Sequence, residues 1–350
     1  MNNKTLDIVD NFAKTKDIRS SLLWGSIVED ADITIGIPVY GFNAYFKETL
    51  NSVLKQKDSP FSIQIIISDN KDYGPSPNPF VEYLEKKNIP NLAYYCTERP
   101  LNQFGNFNRV VNLCRTKYLV MIHDDDLLSG DYFWKLYKMK GFLNGQDIGM
   151  IHGLYPAFIG DSPELPSNQT VSVYRITNLM VSIAGRSLTG IPSCGYLLNC
   201  EAMREVGGFN DAFSSSGDAF PSAIMMTKGY KIYNFDYFTG AYRIGNNISL
   251  RLNVCQGFIK EDYMFYEDWQ SRGGPFRKLL FKLLKNYRYS TNIDGKIEMF
   301  GSLNKDINKE NLDYRGKYKR YNKYGPVHVL SWFFGKVSKV SKVLNTKKFK

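Results

Sequence analysis

An α/β fold, with a mainly parallel sheet flanked by helices, is what this 350-residue sequence predicts. Three observations carry the prediction. Short apolar, β-branched runs alternate with stretches of helical spacing. The connections between them are short, as strand–helix–strand crossovers require. The apolar runs end in polar side chains, and sheets of this kind bind ligands beyond the carboxyl ends of their strands.

The elements follow in order. Residues 1–30 form a polar arm, expected to be partly helical. Ile33–Val39 (ITIGIPV) reads as a buried strand, and Phe42, Phe46, Leu50 and Val53 then fall at helical spacing. Gln64–Ser68 is a second strand, closed by Asp69 and Asn70. A Pro/Gly-rich turn leads into a helix through Phe80, Tyr83 and Leu84. Leu92–Cys96 is a third strand, Phe104 to Cys114 a helix, and Lys117–Ile122 a fourth strand. Beyond residue 127 the pattern loosens. Tyr132–Phe142 reads as helix, Gly149–Phe158 as strand, Ser167–Ile176 as irregular or hairpin, Phe220–Thr227 as helix and Tyr230–Phe235 as a last strand, with a sharp turn at Gly207–Asp211.

Composition excludes several classes. With 43% apolar and 15% aromatic residues the chain can bury a large core and is not a disordered one. The start, MNNKTLDIVDNF, has no apolar stretch to serve as a signal sequence, and no run approaches the ~18 apolar residues of a spanning helix. Five cysteines without a CxxC pair suggest reduced thiols in a cytosol rather than a disulfide framework or zinc site. No G-x-G-x-x-G follows the first strand and no G-x-x-x-x-G-K-[ST] exists, so the dinucleotide and P-loop phosphate sites are both missing.

Three carboxylate features remain. His123-Asp124-Asp125-Asp126 stands directly after a buried strand, where three adjacent carboxylates repel one another unless something positive binds. Hard cations such as Mn²⁺ or Mg²⁺ take oxygen ligands and bridge to diphosphates. His123 either touches ligand or fills the strand end. Asp69, at the end of the second strand, can accept a hydrogen bond from a uracil or thymine ring N–H, or start an Asx turn. Asp218, in SSSGDAF ahead of a helix, reads locally as an N-cap; the alternative is a catalytic base facing an acceptor hydroxyl.

At this point the chain resembles a family. IPVY at Ile37–Tyr40, ISDN at Ile67–Asn70, N-x-x-G-x-x-N-R at Asn102–Arg109, HDDD at 123–126, GGFND at 207–211 and the Asp218 segment follow the order seen in family 2 inverting glycosyltransferases of bacterial surface-polysaccharide type. The resemblance covers roughly residues 31–250. It implies the glycosyltransferase A fold, a nucleotide-sugar donor (UDP- or dTDP-sugar) and a divalent metal. Pro38, Tyr40, Asp69, Asn102 and Asp124 would lie around the donor, Asp125 and Asp126 at the metal, and Asp218 would be the base. The sequence departs from the family where His123 replaces the first acid of Asp-x-Asp-Asp and Gly217 replaces the Glu before Asp218. The Gln-x-x-Arg-Trp of processive synthases is absent, which favours addition of a single sugar.

The charge is uneven. Lys and Arg total 45 against 34 Asp and Glu, and the eleven basic residues beyond Asp313 account for the whole excess of +11. Phe276, Leu279, Leu280, Leu283 and Leu284 form an apolar stripe opposed by lysines and an arginine, and Trp332, Phe333 and Phe334 are interleaved with lysines. Basic amphipathic segments of this kind lie on anionic membranes; the neutral body argues against nucleic acid. The expected organisation is an arm (1–30), a catalytic domain (31–250, with a nucleotide-sugar half at 31–126 and an acceptor half at 127–250) and a helical, basic, membrane-associating region (251–350). The expected function is metal-dependent transfer to a glycan, lipid-linked acceptor, by a cytoplasmic protein peripheral to the inner face of the cell membrane. The rivals are a sugar-phosphate nucleotidylyltransferase and a non-catalytic nucleotide-sugar-binding protein. The loop Gly190–Gly195 and the region after 127 are expected to set the sugar and acceptor.

Overall fold

A computed structural model describes residues 4–56, 59–73, 77–165, 171–184, 195–245, 247–322, 324–344 and 346–349. The first half runs β1 (Ser20–Gly25), β2 (Ile33–Val39), α1 (Ala44–Leu54), β3 (Ile63–Asp69), α2 (Pro79–Lys87), β4 (Leu92–Thr97), α3 (Gln103–Leu113) and β5 (Tyr118–Met121). The second half runs β6 (Leu127–Leu128), α4 (Tyr132–Lys138), α5 (Lys140–Asn144), β7 (Ile148–Leu154), β8 (Ala157–Phe158), β9 (Val171–Ile176), α6 (Asn178–Ala184), β10 (Tyr196–Asn199), α7 (Cys200–Glu205), α8 (Phe220–Thr227), β11 (Lys231–Phe238) and β12 (Gly240–Arg243). The C-terminal elements are α9 (Leu252–Ser271), α10 (Pro275–Phe300), α11 (Lys309–Leu312), α12 (Pro326–Leu344) and β13 (Thr346–Phe349).

The predicted parallel strands lie side by side as the second to fifth strands of a ten-stranded sheet of order β1-β4-β3-β2-β5-β10-β7-β11-β9-β13. β4, β3, β2 and β5 are mutually parallel, with Ile33 opposite Ile63 and Tyr118. Their polar ends therefore emerge on one edge. The strands added outside them pair mostly antiparallel. Alternation along β2 divides the core: Ile33, Ile35, Ile37 and Val39 join one layer with Phe46, Leu50 and Val53 of α1 and Phe80 of α2. The other face packs under α3, α7, α8 and α9 through residues such as Val110, Met203, Phe220 and Trp269. Each such side chain taken fully out of water stabilises the fold by about 1.5–3 kcal/mol. This is the α/β architecture expected, with helices on both faces.

Several segments differ from expectation. Among the described residues of the N-terminal arm the helical part is a 3₁₀ turn at Ala13–Thr15, and the arm also supplies an unexpected strand, β1, which pairs antiparallel with β4. The helix expected over 132–142 breaks where Met139 leaves helical dihedrals (φ −98°, ψ 3°) and turns into the core. The strand expected over 149–158 is interrupted at Tyr155–Pro156, and proline has no N–H for the ladder. β11 is followed by β12 and, far later, by β13, so Tyr230–Phe235 is not the last strand. Gly190–Gly195 lies, apart from Gly195, outside the described residues, as do the first residues of the 167–176 segment.

The C-terminal region folds back onto the sheet. α9 is half embedded, burying Ile259, Tyr263, Phe265 and Trp269, and α10 runs against it around Tyr289, Ile293 and Phe300. α12 packs on α6, β9 and α10, and β13 pairs with β9. None of the described helices is long and apolar enough to cross a membrane.

Candidate active site

The loops at the carboxyl ends of the parallel strands are tied together by side chains. Asp69 closes β3 and is fully buried; its Oδ1 accepts from the Gly41 N–H (3.1 Å) and the Lys71 N–H (3.0 Å), and its Oδ2 from the Tyr94 hydroxyl (2.9 Å). Burial raises its pKa, and these donors pull the other way. Asp69 thus anchors the loops after β2 and β3 from beneath. Its neighbour Asn70 faces the cavity and bonds both ways with Leu101, donating to the carbonyl (2.6 Å) and accepting from the N–H (2.5 Å). Pro38 and the exposed Tyr40 also face the cavity. Asn102 caps α3 through the Gly105 N–H (2.7 Å) and donates to Asp211 (3.0 Å).

The HDDD segment turns over after β5. Asp124 accepts from Asn43 (3.3 Å); burial, and then the charge of Asp125, push its pKa up to about 7. Asp125 accepts from Asn247 (3.3 Å), and burial raises its pKa against the pull of His123 and Arg243. Asp126 is fully buried, takes the Arg243 N–H (3.0 Å) on Oδ1, and has His123 Nδ1 3.8 Å from Oδ2. His123 stacks on Phe107 with ring centroids 5.1 Å apart, and burial holds its pKa below the ordinary value, so the imidazole is neutral and keeps a lone pair.

A divalent cation fits here. One ligand atom each from His123, Asp125 and Asp126 lie within 4.8 Å of one another. Burial has raised Asp124 and Asp125, so their charged forms are costly as they stand and a cation would relieve them. The set includes His123 beside Asp125 and Asp126 and does not include Asp124.

Asp218 reaches the same place from the other half of the chain. The N-cap of α8 is Ala219, with no side-chain cap bond, so Asp218 is not the helix cap that its local sequence suggests. It lines the cavity, and its charge acts on His123 and on Tyr242, whose hydroxyl is raised to about 12, first by burial. The preceding position admits no side chain: a Cβ on Gly217 would lie 2.1 Å from the Asn210 carbonyl oxygen and 2.8 Å from the Phe104 ring. That crowding accounts for the glycine at this position. GGFND is held to α3 by Asn108, which donates to the Phe209 carbonyl (2.9 Å) and accepts its N–H (2.8 Å). Asp211 is ion-paired to Lys14 and bonded by Asn102; burial would raise it, but these partners hold its pKa below the ordinary value, which makes it a poor base.

Arg243 was not legible as a site residue. Besides its N–H on Asp126, its Nε donates to the Asp125 carbonyl (2.9 Å) and its terminal nitrogens to the Gly160 carbonyl (3.1 Å) and Glu48 (2.5 Å). It fixes the aspartate turn against β12, and the sequence signal was only the basic, aromatic character of the stretch from Tyr242.

His123, Asp124, Asp125 and Asp218 share one cavity of about 1300 Å³. Small-molecule pockets run to roughly 300–1000 Å³, so there is room for two reactants. The far wall is α9 and α10, which sequence reasoning had assigned to the membrane and not to the site.

Residues 34–197 match the sequence model described as Glycosyl transferase family 2. An uncharacterized glycosyltransferase of Methanocaldococcus jannaschii is 21% identical over 228 residues, 65% of this chain and 76% of that protein. A Rickettsia felis protein of the same description is 24% identical over 187 residues, 53% of this chain but only 30% of its own length. Among solved structures, the mannosyltransferase PcManGT from Pyrobaculum calidifontis, in complex with GDP-Man and Mn²⁺, superposes with a TM-score of 0.50 at 11% identity, over 94% of this chain and 93% of that one. TarS from S. aureus, in complex with UDP-GlcNAc, gives 0.47 at 14% identity over 83% of this chain and 94% of that one. The likeness to the mannosyltransferase is one of fold, and the fold is the glycosyltransferase A type. The family 2 model thus covers a little under half of the chain, and the relatives in the M. jannaschii and R. felis comparisons are described as glycosyltransferases.

Proposed function

We propose that this chain is a metal-dependent, inverting family 2 glycosyltransferase that adds a single sugar from a nucleotide-sugar donor to a lipid-linked glycan in surface-polysaccharide synthesis. The observation that carries the reading is that the cation-fitting group after β5 and a carboxylate from the other half of the chain meet at one cavity: His123 and Asp125 line it, with Asp126 buried beside them, and Asp218 lines it from the loop before α8. The donor's nucleotide would lie along Pro38, Tyr40 and Asn70, with Asp124 toward the ribose and Asp69 and Asn102 holding the loops beneath it. When bound, a divalent cation such as Mn²⁺ supplies positive charge to the departing diphosphate. Asp218 takes the proton of the acceptor hydroxyl as that oxygen attacks the anomeric carbon. The new glycosidic C–O bond forms as the bond to the diphosphate oxygen breaks, and a single displacement inverts the anomeric configuration. The mannosyltransferase of similar fold was captured with GDP-Man and Mn²⁺, which supports a nucleoside-diphosphate donor and adds GDP-sugars to the UDP- and dTDP-sugars expected from sequence.

Supporting the membrane reading, Phe276, Leu279 and Leu283 of α10 and Val329, Trp332 and Phe333 of α12 are exposed apolar groups on two helices that touch each other. Arg277, Lys278, Lys282 and Lys336 stand among them. Leu280 and Leu284, the rest of the α10 stripe, are buried against the protein. An exposed apolar and basic face suits the inner, anionic leaflet.

The test is donor binding with metal. Thermal shift with UDP-, dTDP- and GDP-sugars should show stabilisation that needs Mn²⁺ or Mg²⁺ in the wild type. The same stabilisation should be lost in Asp125→Ala, with the unliganded melting temperature kept. Metal-independent binding, or binding unchanged in the variant, would remove the metal role.

A further inference from the structure

The cavity continues past Asp218 to a wall built by α9 and α10. On α10, Arg288, Asn292 and Lys296 follow at four-residue spacing and all face the cavity, one stripe of a helix. Asn292 is bonded to Asp262 (2.6 Å), and the Lys296 ammonium lies 4.1 Å from the Phe258 ring centroid. Arg288 differs. Its Nε is buried with no hydrogen-bond partner, and among the described residues its guanidinium has no ion pair. The groups acting on it electrically are the phenols of Tyr266 and Tyr287, and burial lowers its pKa. Arg109 also has an unpartnered Nε, but its terminal nitrogen donates to the carbonyls of Thr15 and Ile18, and the Arg243 guanidinium has three partners, the Asp125 and Gly160 carbonyls and Glu48.

The Arg288 side chain is half-buried, and a guanidinium partly withdrawn from water without a counter-charge is costly, while its fork is shaped for an oxyanion. Nothing in the nucleotide end of the cavity needs it, because the aspartate turn offers its own cation site there. We infer that the acceptor carries an oxyanion, as a phosphate ester or a carboxylate on its glycan, and that this group docks on Arg288 while the reacting hydroxyl lies at Asp218. Tyr266, Phe258 and Tyr289 line the same cavity, so its wall there is aromatic. Calling the occupant an acceptor rests on the transferase reading above.

The test uses the full-length protein and three probes built on the same phenyl glycoside: phenyl glucoside 6-phosphate, phenyl glucuronide and neutral phenyl glucoside. Their binding is measured by saturation-transfer NMR in EDTA, which keeps phosphate from a metal-loaded donor end. At least one anionic probe should bind the wild type ten-fold or more tighter than the glucoside. Arg288→Gln should erase that preference and Arg288→Lys should keep part of it. The ratio of phosphate to glucuronide affinity identifies which oxyanion the site takes. Equal affinity for all three probes in the wild type would overturn the inference without any variant; so would a preference unchanged in Arg288→Gln. Metal-dependent donor binding is measured separately on the wild type. If that is present and the anion preference absent, only this inference fails; if the preference is present and no donor binds, only the transferase reading fails.

Discussion

Asp218 and the glycine before it make the most specific demands at the scale of single residues. Asp218→Asn keeps the volume and removes the base, so metal-dependent donor affinity should persist while turnover falls by a factor on the order of 10²–10⁴. Steady-state kinetics beside donor titration checks this, and normal turnover would send the search for the base elsewhere. Asp211 is a weak alternative, since Lys14 and Asn102 occupy it. Gly217→Ala should destabilise the protein by about 1–3 kcal/mol, because the added carbon meets the Asn210 carbonyl at 2.1 Å, and backbone does not yield as a side chain would. Denaturant unfolding measures it; a neutral effect would mean the loop relaxes and that glycine is not required. The acidic residues were legible because charge crowding at a strand end has few innocent explanations. Arg243 was not, because its partners are assembled across 80 to nearly 200 positions of sequence, from Glu48, Asp125, Asp126 and Gly160.

Elements built from local pattern were readable, and those built by long-range pairing were not. β2, β3, β4 and α3 announce themselves by period and by bounding polar residues. β1 and β13 are short and half exposed, and each becomes a strand only because β4 or β9 offers an edge. α9 and α10 read as amphipathic, but nothing in their period says that one face closes a cavity. β7 carries a different burden. His152 is 2% exposed and neither ring nitrogen has a hydrogen-bond partner among the described residues; burial lowers its pKa to about 4 from 6.5. Below about 6.5 the unfolded chain binds a proton that the folded chain refuses until about 4. Stability from this group is therefore lost as pH falls through that window, by up to about 1.4 kcal/mol per pH unit. His152→Leu should flatten that part of the profile. The wild-type-minus-variant difference between pH 7 and 4 isolates it from the buried carboxylates, whose raised pKa values act in the opposite direction. A difference independent of pH would show that His152 titrates normally.

Across the whole molecule the excess charge and the exposed aromatic groups lie together in the C-terminal elements, yet those elements also complete the sheet and wall the cavity. Deleting them would damage the fold, so the membrane role is tested by surface substitution. The Trp332→Ala, Phe333→Ala double variant should weaken flotation with anionic vesicles about ten-fold or more, and wild-type flotation should weaken with salt as surface charge is screened. Equal flotation of both proteins would assign that face to another partner. The central claim is metal-dependent inverting transfer, and it is tested most directly by following nucleoside diphosphate release from a donor panel with Mn²⁺ while reading the product's anomeric proton by NMR. One equivalent of nucleoside diphosphate per glycoside, with the anomeric configuration opposite to the donor's and loss of both signals in Asp218→Asn, is the result expected. Retained configuration, pyrophosphate as the released product, or no release from any donor would contradict it.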